Sequence, residues 1–431
     1  MKIHEFAQAA KAASISLSAA GTELKNNALL AIADALKSRM SEIIEANNID
    51  MERSTKENLE APLLKRLKFD EEKVIGTIEG ILSLIKLPEP VGETLTATEL
   101  DKGLELYKVS CPIGVIGVIF ESRPDALVQI SCLCLKSGNA VMLKGGSEAL
   151  NTNRILADII NKASVKAGIP AGWIQLLETR SDVNEMLKLD KYIDLIIPRG
   201  SNEFVQYIMN NSNIPVLGHA DGICHVYVDK DAELEKAVAI AVDSKTQYVA
   251  VCNAAETILI HEAVAAKFLP MLKKGLDVHH VEIFGCEKTA KIIAVSPATP
   301  QSWKTEYLDY KVSVKVVASM AEAIEHINQY GSGHTESIIT ENSAVVTDFM
   351  NLCDSGNVFW NCSTRFSDGF RYGLGAEVGI STNKIHARGP VGLEGLLIYK
   401  WKLKGNGHIV SDYSKGVKAF THQKIDKKFS I

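Results

Sequence analysis

Residues 111–149 read CPIGVIGVIFESRPDALVQISCLCLKSGNAVMLKGGSEA, and this stretch decides the fold class. Its apolar run at 114–120 predicts a buried strand, 125–135 predicts a helix, and 140–144 predicts a second buried strand. A strand, a helix and a strand in such close succession form a βαβ unit, which pairs the two strands in parallel and covers the sheet with helices. The stretch therefore predicts an α/β fold.

The same alternation on either side predicts the domain organisation. Residues 1–87 have helical periodicity, strands recur near 173–177 and 193–197, and a second alternating series begins near 223. At 431 residues the chain is long enough for two domains. We predict that residues 1–222 form a doubly wound, parallel-sheet cofactor domain, with strands of an oligomerisation element near 97–110. Residues 223–385 are expected to form a second α/β domain, which is catalytic, and 386–431 a C-terminal return and oligomerisation segment.

The C-terminal apolar run at 397–403 has no evident partner nearby in the sequence. An exposed strand edge is a liability unless it is paired or covered. We therefore expect this run and the strands near 104–109 to form the oligomerisation element of a homo-oligomer, and the sequence leaves dimer and tetramer open.

Charge and cysteine usage exclude several classes of protein. The net charge of −5 comes without a basic surface for nucleic acid, and no run is long and apolar enough for a membrane span. The eight cysteines are scattered at irregular spacings, unlike a disulfide framework, and the N-terminus lacks the apolar core of a secretory signal. We expect a reduced, cytoplasmic protein with no resident metal.

Two strand-to-helix turns have the composition of a phosphate site. In AVMLKGGSEA at 140–149, Lys144 is followed by Gly146 and by Ser147, which we expect to cap the next helix. In LIIPRGSNEF at 195–204, Arg199, Gly200 and Ser201 repeat the design. Each turn alone has an equally good structural explanation, and no P-loop motif is present. Together they favour a nucleotide at the carboxyl ends of the strands.

Cys252 stands apart from the other cysteines because it lies between a helix and a strand, in DSKTQYVAVCNAAET at 243–257. A free cysteine is usually a small buried apolar residue, and that interpretation stays open for Cys252 taken alone. A loop beside Asn253, however, can present a sulfur to a substrate.

Long motifs across the chain resemble one family. They are 111–149, IIPRGSNEF at 196–204, GICHVYVD at 222–229, KTQYVAVCNAAETILIH at 245–261, HINQYGSGHTESIIT at 326–340 and STRFSDGFRYGLGAEVGISTNKIHARGPVGLEGL at 363–396. They resemble the gamma-glutamyl phosphate reductase family of the aldehyde dehydrogenase superfamily over nearly the whole chain. The resemblance implies reduction of L-glutamyl 5-phosphate to glutamate 5-semialdehyde by NADPH, with release of phosphate, in proline biosynthesis. In plants and animals a similar reductase is fused to a glutamate kinase, so a separate kinase is the partner expected for channelling here.

The resemblance also implies roles for individual residues. Cys252 is the expected nucleophile, which forms a thioester that a hydride reduces. VLGHADG at 216–222 lacks the carboxylate with which hydrolytic members activate water, and Ser122 replaces their oxyanion-holding asparagine. The backbone N–H of Cys252, with Ser122 or Asn253, is the expected oxyanion site. The remaining implied residues are Lys144, Gly200, Ser201 and Glu306 for the cofactor, Ser363, Thr364 and Arg365 for the substrate anion, and Arg123 and Arg371 as second choices for it.

Two other functions remain open at this point. A hydrolytic aldehyde dehydrogenase would oxidise an aldehyde to an acid without phosphate, and the missing carboxylate argues against it. A catalytically inactive nucleotide-binding protein would keep the fold and lose the site, and the presence of Cys252 and Lys144 argues against that. Beyond Lys144, the sequence offers no residue that selects NADPH over NADH.

Overall fold

The structure, a computed structural model, describes residues 2–178, 181–219, 221–375 and 377–430. Contacts between residues divide the chain into two compact units. The first unit consists of Met1–Gly200, Tyr207–Leu217 and Gly392–Ile431, and the second of Ser201–Gln206 and Gly218–Val391. The roles in cofactor binding and catalysis that we assigned to 1–222 and 223–385 remain predictions.

Helices and strands alternate through most of the described chain. The helices are α1 Lys2–Leu17, α2 Thr22–Ser38, α3 Met40–Lys56, α4 Ala61–Leu67, α5 Glu71–Lys86, α6 Pro124–Lys136, α7 Leu150–Lys166, α8 Ser181–Met186, α9 Asn202–Asn211, α10 Leu234–Thr246, α11 Glu262–Asp277, α12 Glu287–Ala290, α13 Met320–Tyr330, α14 Ser343–Leu352 and α15 Val410–Ser414. The strands are β1 Thr94–Asp101, β2 Leu104–Pro112, β3 Val115–Phe120, β4 Ala140–Gly145, β5 Ile174–Leu177, β6 Leu195–Arg199, β7 Cys224–Val228, β8 Ala255–His261, β9 Glu282–Gly285, β10 Ser296–Pro297, β11 Lys311–Val317, β12 Thr335–Ile339, β13 Asn357–Trp360, β14 Gly379–Ser381, β15 Gly389–Val391, β16 Leu397–Lys404 and β17 Gln423–Lys424.

The N-terminal helices α1–α5 form the predicted helical layer of the first unit. In α2, Leu29, Ile32 and Leu36 recur at helical spacing and are buried, so one stripe faces the protein interior. That helix packs on α5 and on α7. Helix α2 therefore lies over helices that cover the sheet, whereas α1 packs directly on β3, β4 and β5.

The parallel sheet of the first unit has the strand order β5-β4-β3-β6. All residues of β3 and β4 are buried, as expected for central parallel strands with helices on both faces. Phe120 at the end of β3 pairs with Gly145 on one side and with Arg199 on the other. Both predicted phosphate turns therefore leave the same edge of the sheet.

An antiparallel sheet in the first unit has the order β16-β2-β1-β17. The C-terminal strand β16 pairs with β2 along its whole length, from Leu397 opposite Pro112 to Lys404 opposite Glu105. No partner is evident near this strand in the sequence because its partner, β2, lies almost 300 residues earlier in the chain. β16 is the outermost strand of this sheet, and its side chains Trp401 and Leu403 are exposed. Pairing of β16 with another subunit stays a prediction.

The second unit is built on a parallel sheet with the order β10-β9-β11-β8-β7-β12-β13. Its core packs Phe268, Leu272 and Leu276 of α11 against Ile258 and Ile260 of β8. The strands β8, β7 and β12 are adjacent, so the loops that precede them meet at the amino edge of the sheet. The predicted α/β class is confirmed in both units. The short strands β9, β10, β13, β14 and β15 were not predicted from the sequence, since most have only two to four residues.

Candidate active site

Cys252 lies in a turn between the end of α10 and the start of β8. The turn is closed by the Ala254 N–H, which donates to the Val251 carbonyl at 3.1 Å. Cys252 is half-buried, whereas Cys132, Cys134 and Cys224 are buried. The structure therefore places this sulfur in a loop, as the sequence predicted, where a substrate has access to it.

Gly222 packs directly against the backbone of the turn that contains Cys252. A Cβ at this position would lie 2.3 Å from the Cα and 2.3 Å from the carbonyl oxygen of Cys252. Real Cβ atoms do not approach backbone atoms so closely, and packing this tight leaves no slack. Only glycine lets the strand that begins at Cys224 run beside the cysteine turn. No structural or catalytic role was predicted for Gly222 from the sequence.

The sulfur of Cys252 lies 3.2 Å from Nε2 of His334. His334 is fully buried, directly before β12. Burial, with a smaller contribution from His219, holds the pKa of His334 well below its usual range. The ring is therefore neutral at ordinary pH, and it can accept a proton from the thiol.

The other ring nitrogen of His334 fixes the orientation of the imidazole. Its Nδ1 lies 2.7 Å from the Thr335 hydroxyl and 3.6 Å from the Cys224 sulfur. The Cys224 thiol donates to the Cys252 carbonyl oxygen at 3.1 Å. We assign the ring proton to Nδ1, which leaves the lone pair of Nε2 directed at Cys252.

His219 stands beside this pair. Its Nδ1 lies 2.9 Å from the Ile380 carbonyl oxygen, so it donates there, and its ring meets the His334 ring edge-on with centroids 5.1 Å apart. This hydrogen bond holds His219 in its loop and fixes the orientation of its imidazole ring. His219, Cys252 and His334 thus come together from three loops.

The residues that follow Cys252 tie its turn to the segment 363–367. Asn253 Nδ2 donates to the Ser367 carbonyl oxygen at 2.6 Å, and the Thr364 hydroxyl donates to the Asn253 carbonyl oxygen at 2.7 Å. Ser363 Oγ lies 3.2 Å from Ser244 Oγ and accepts from the Arg365 N–H at 3.3 Å. Both hydroxyls thus help to hold the loop, and their role in binding the substrate anion remains a prediction.

Arg365 is the charged member of the predicted anion clamp, and its terminal amines remain available to a ligand. Its Nε donates to Gln247 Oε1 at 2.9 Å, and no described residue accepts a hydrogen bond from its two terminal amines. Burial and the neighbouring charge of Arg371 lower the pKa of Arg365, while negative charges at Asp368 and Cys252 oppose that shift. Arg371 lies further out, where its Nη1 donates to the Arg365 carbonyl oxygen at 2.9 Å.

Glu306 belongs to the second unit and is half-buried. Its carboxylate accepts from Asn202 Nδ2 at 2.6 Å and from the Gly222 backbone N–H. Burial raises its pKa, and these hydrogen bonds oppose the rise. Glu306 is therefore linked through Gly222 to the cysteine turn, which an ordinary surface carboxylate would not be.

A buried ion pair supports the same turn. Lys245, at the end of α10, contacts Glu256, in β8, at 2.6 Å, and both side chains are fully buried. Burial raises the pKa of Glu256 to about 7 and lowers that of Lys245, and the pairing opposes both shifts. The pair joins the two elements between which Cys252 lies.

The predicted cofactor residues of the first unit lie at the carboxyl edge of its sheet. Lys144 is buried and donates from Nζ to the Gly145 carbonyl oxygen, while Arg199 at the end of β6 is half-buried and Gly200 is exposed. Ser201 belongs to the second unit. Two cations and two glycine turns at one edge fit the phosphates of a nicotinamide cofactor.

The first of these turns differs from the prediction. Residues Ser147–Ala149 form a 3₁₀ turn with Gly146 at its N-cap, and α7 begins at Leu150. No side chain caps either start, so the expected capping role of Ser147 was wrong, because the extra turn moves the helix three residues away.

Ser122 has a left-handed backbone, with φ of 44°, and is buried. Its N–H and its hydroxyl both donate to Glu148 Oε1, at 2.6 and 2.9 Å. Both donors are thus directed at a carboxylate within the first unit. Arg123 follows at the N-cap of α6 and is half-buried.

No role was predicted from the sequence for His334, Gly222, Glu148 or the Lys245–Glu256 pair. The available signal for His334 was the run GSGH at 331–334 directly before a buried strand, which places a histidine at a sheet edge. No local signal pairs His334 with Cys252, 82 residues away.

A family profile described as "Aldehyde dehydrogenase family" matches residues 1–283, which is more than half of the chain. The chain belongs to the aldehyde dehydrogenase family. Within the family it is 69% identical to the gamma-glutamyl phosphate reductase of Acetivibrio thermocellus, with 100% of both chains covered. It is 68% identical to that of Pelotomaculum thermopropionicum, with 100% of this chain and 99% of the relative covered.

A solved structure agrees with the family assignment. The crystal structure of gamma-glutamyl phosphate reductase from Thermotoga maritima is 42% identical, covers 95% of this chain and 100% of its own, and superimposes with a TM-score of 0.93. The resemblance found in the motifs is thereby confirmed, as is the aldehyde-dehydrogenase-like fold. The family consists of oxidoreductases that use a nicotinamide cofactor. In the described part of the chain, no helix is both long and apolar enough to cross a membrane.

Proposed function

We propose that this chain reduces L-glutamyl 5-phosphate to L-glutamate 5-semialdehyde with NADPH and releases phosphate, through a thioester on Cys252. The observation that carries the proposal is the 3.2 Å contact between Cys252 Sγ and His334 Nε2, in a chain whose relatives are gamma-glutamyl phosphate reductases. A thiol beside a neutral imidazole is the arrangement of an activated nucleophile. The reaction would serve proline biosynthesis.

In the first step Cys252 attacks the acyl carbon while His334 Nε2 takes the thiol proton. The bond between the acyl carbon and the phosphate oxygen breaks, and His334 passes the proton to the departing phosphate. The low pKa of His334 makes proton transfer in the resting enzyme unfavourable, so the transfer accompanies the attack. Arg365 offers its terminal amines to the substrate's anionic groups and stabilises the sulfur anion.

Lys144, Gly146, Ser147, Arg199, Gly200 and Ser201 would hold the cofactor's adenosine and phosphate groups, and Glu306 its nicotinamide ribose. The resemblance to gamma-glutamyl phosphate reductases, together with the buried cation Lys144, is our reason for assigning NADPH. When bound, the cofactor supplies the hydride that reduces the thioester. Release of the aldehyde returns the electron pair to Cys252, and His334 relays a solvent proton to the sulfur.

Hydrolysis of the thioester would waste the substrate, and two buried or half-buried carboxylates of the second unit, Glu256 and Glu306, are not placed to promote it. Glu256, four residues after Cys252, is buried in an ion pair with Lys245. Glu306 accepts hydrogen bonds from Asn202 and Gly222. Neither carboxylate is arranged to activate water, which supports a reductase.

The oxyanion of the tetrahedral intermediate needs hydrogen-bond donors, each worth about 3 kcal/mol. We assign the backbone N–H of Cys252 together with Ser122 or Asn253. In this structure the Ser122 hydroxyl donates its single hydrogen to Glu148, so Ser122 must exchange that hydrogen bond when substrate binds. Asn253 donates only one of its two amide hydrogens to Ser367.

The domains, the oligomer and the partner of the enzyme follow from the same proposal. We assign cofactor binding to 1–222, catalysis to 223–385 and, with the strands near 97–110, oligomerisation to 386–431. The homo-oligomer would act in the cytoplasm, next to a separate glutamate kinase that passes its unstable product on.

The test is the reverse reaction: reduction of NADP⁺ by glutamate 5-semialdehyde, with and without phosphate. Wild type and the control Cys286→Ala, which removes another half-buried thiol, should both need phosphate, and Cys252→Ala should be inactive. A parallel assay with NAD⁺ tests the cofactor assignment. Acid formation without phosphate would instead identify a hydrolytic dehydrogenase, and full activity of Cys252→Ala would overturn the thioester.

A further inference from the structure

The cysteine–histidine pair is part of a larger group of possible metal ligands. His219, Cys252 and His334 each offer one ligand atom, and these three atoms lie within 4.8 Å of one another. His219 and Cys252 are half-buried and His334 is buried, so the group is partly shielded from solvent. The sequence led us to expect no metal.

The distances suit a small tetrahedral ion. Zinc binds sulfur at about 2.3 Å and imidazole nitrogen at about 2.0–2.1 Å, which puts two ligand atoms of a tetrahedron about 3.4–3.6 Å apart. The sulfur of Cys252 and Nε2 of His334 are already 3.2 Å apart. The ligand atom of His219 lies within 4.8 Å of the other two, so it would have to move closer by about 1 Å to reach tetrahedral spacing. A side-chain rotation can provide a movement of this size.

The partners of the two imidazoles are those of zinc-binding histidines. A ligating histidine usually donates its other ring N–H to a carbonyl or another oxygen, which fixes the tautomer. His219 Nδ1 contacts the Ile380 carbonyl oxygen at 2.9 Å, and His334 Nδ1 contacts the Thr335 hydroxyl at 2.7 Å. Nε2 is therefore the ligand atom of each ring.

We propose that His219, Cys252 and His334 form a three-ligand site for Zn²⁺, with the fourth position open to water. One thiolate and two neutral imidazoles are a soft donor set, which selects zinc over magnesium or calcium. Binding forms the zinc–sulfur bond and releases the thiol proton to solvent. A metal held by Cys252 removes the nucleophile, so Zn²⁺ would inhibit the enzyme reversibly. The inhibition rests on the proposed function, but the binding does not.

The site can be tested without substrate by calorimetric titration with Zn²⁺ and by the absorption spectrum with Co²⁺ as a probe. Wild type should bind one Zn²⁺ at this site, and bound Co²⁺ should show thiolate-to-metal charge transfer. Cys252→Ser should lose the charge transfer, and Cys252→Ser and His219→Asn should each weaken binding at least about tenfold, the minimum loss for even an indirect partner of a metal. Both positions are half-buried, and a urea unfolding curve checks that the variants fold.

Two matched controls remove similar groups elsewhere in the second unit. Cys286→Ser changes another half-buried thiol and His279→Asn an exposed imidazole, and both should bind Zn²⁺ like wild type. The proposal is overturned if wild type shows no thiolate-to-metal charge transfer with Co²⁺, or if Cys252→Ser binds Zn²⁺ as tightly as wild type.

An activity assay distinguishes this proposal from the proposed function. Reductase activity that Zn²⁺ abolishes and a chelator restores would support both. Binding through Cys252 in a protein without reductase activity would leave the site standing and refute the function. Reductase activity without binding at Cys252 would refute only the site.

Discussion

Replacing Gly222 with alanine should displace the nucleophile without touching it chemically. The new Cβ would lie 2.3 Å from the Cα and from the carbonyl oxygen of Cys252. Carbon atoms in contact need about 3.5 Å, so the two segments must separate by about 1.2 Å. Both opposing atoms belong to backbone, so no side chain can rotate away to relieve the clash.

A shift of this size would separate Cys252 Sγ from His334 Nε2, now at 3.2 Å, beyond hydrogen-bond distance. Misplacement of a reacting group by about 1 Å costs roughly 100-fold in rate, which is about 2.7 kcal/mol of transition-state stabilisation. Crowding the packed interior costs about 1–3 kcal/mol of folding stability in addition.

The assay is kcat/KM in the phosphate-dependent reaction, together with the rate at which iodoacetamide alkylates Cys252 and a urea unfolding curve. The matched control is Gly76→Ala in α5, where a Cβ meets nothing within 4 Å. The control should keep full activity. If Gly222→Ala retained kcat/KM within about twofold and normal alkylation, the tight packing would not control the position of the sulfur.

Three other changes test the neighbouring groups. His334→Asn should lower kcat by about 10²–10⁴-fold, because it removes the proton acceptor, and should slow alkylation of Cys252. Lys245→Met should reduce the free energy of unfolding by about 3–5 kcal/mol, because it leaves Glu256 unpaired and buried, and Glu256→Gln in the same chain should restore part of it. Burial lowers the pKa of His326 to about 2, so below pH ~6.5 the unfolded chain binds a proton that the folded chain does not, and stability falls as pH falls. This single group should cost up to about 2 kcal/mol between pH ~6.5 and ~5, and His326→Gln should flatten that decline in urea unfolding.

Each of these outcomes can be contradicted. Alkylation of His334→Asn at the wild-type rate would show that the imidazole does not act on the sulfur. A Lys245→Met variant within about 1 kcal/mol of wild type would mean that Glu256 becomes protonated at little cost. The pH argument fails if His326→Gln and the exposed control His279→Gln share the wild-type profile.

The local patterns of the chain were sufficient for its architecture. The buried runs at β3, β4, β7 and β8 were evident because most of their residues are apolar, as expected for parallel strands covered on both faces. The turn that holds Cys252 was evident from its place between a helix and a strand. The long motifs then identified the family, which relatives covering the full chain confirm.

Pairings between distant segments were not available from these patterns. Ser147 has the composition of a helix cap, but the chain makes a 3₁₀ turn there first, and the energy difference between the two is not written in a single residue type. Ser363 and Thr364 carry hydroxyls suited to an anion, and the folded loop also holds them by hydrogen bonds to Ser244 and Asn253, which the sequence alone does not reveal. Their engagement depends on segments more than 100 residues away.

By itself, the sequence determined that this is an α/β oxidoreductase of the aldehyde dehydrogenase family with Cys252 in an accessible turn, because periodicity, glycine placement and motif content are properties of neighbouring residues. Only the tertiary structure decided what surrounds the sulfur. The strand order β8-β7-β12 brings the loops before these strands to one edge, and so places His219 and His334 beside Cys252 and Gly222 beneath it. Strand order is set by crossover connections and by the packing of whole elements, which no local stretch of sequence encodes.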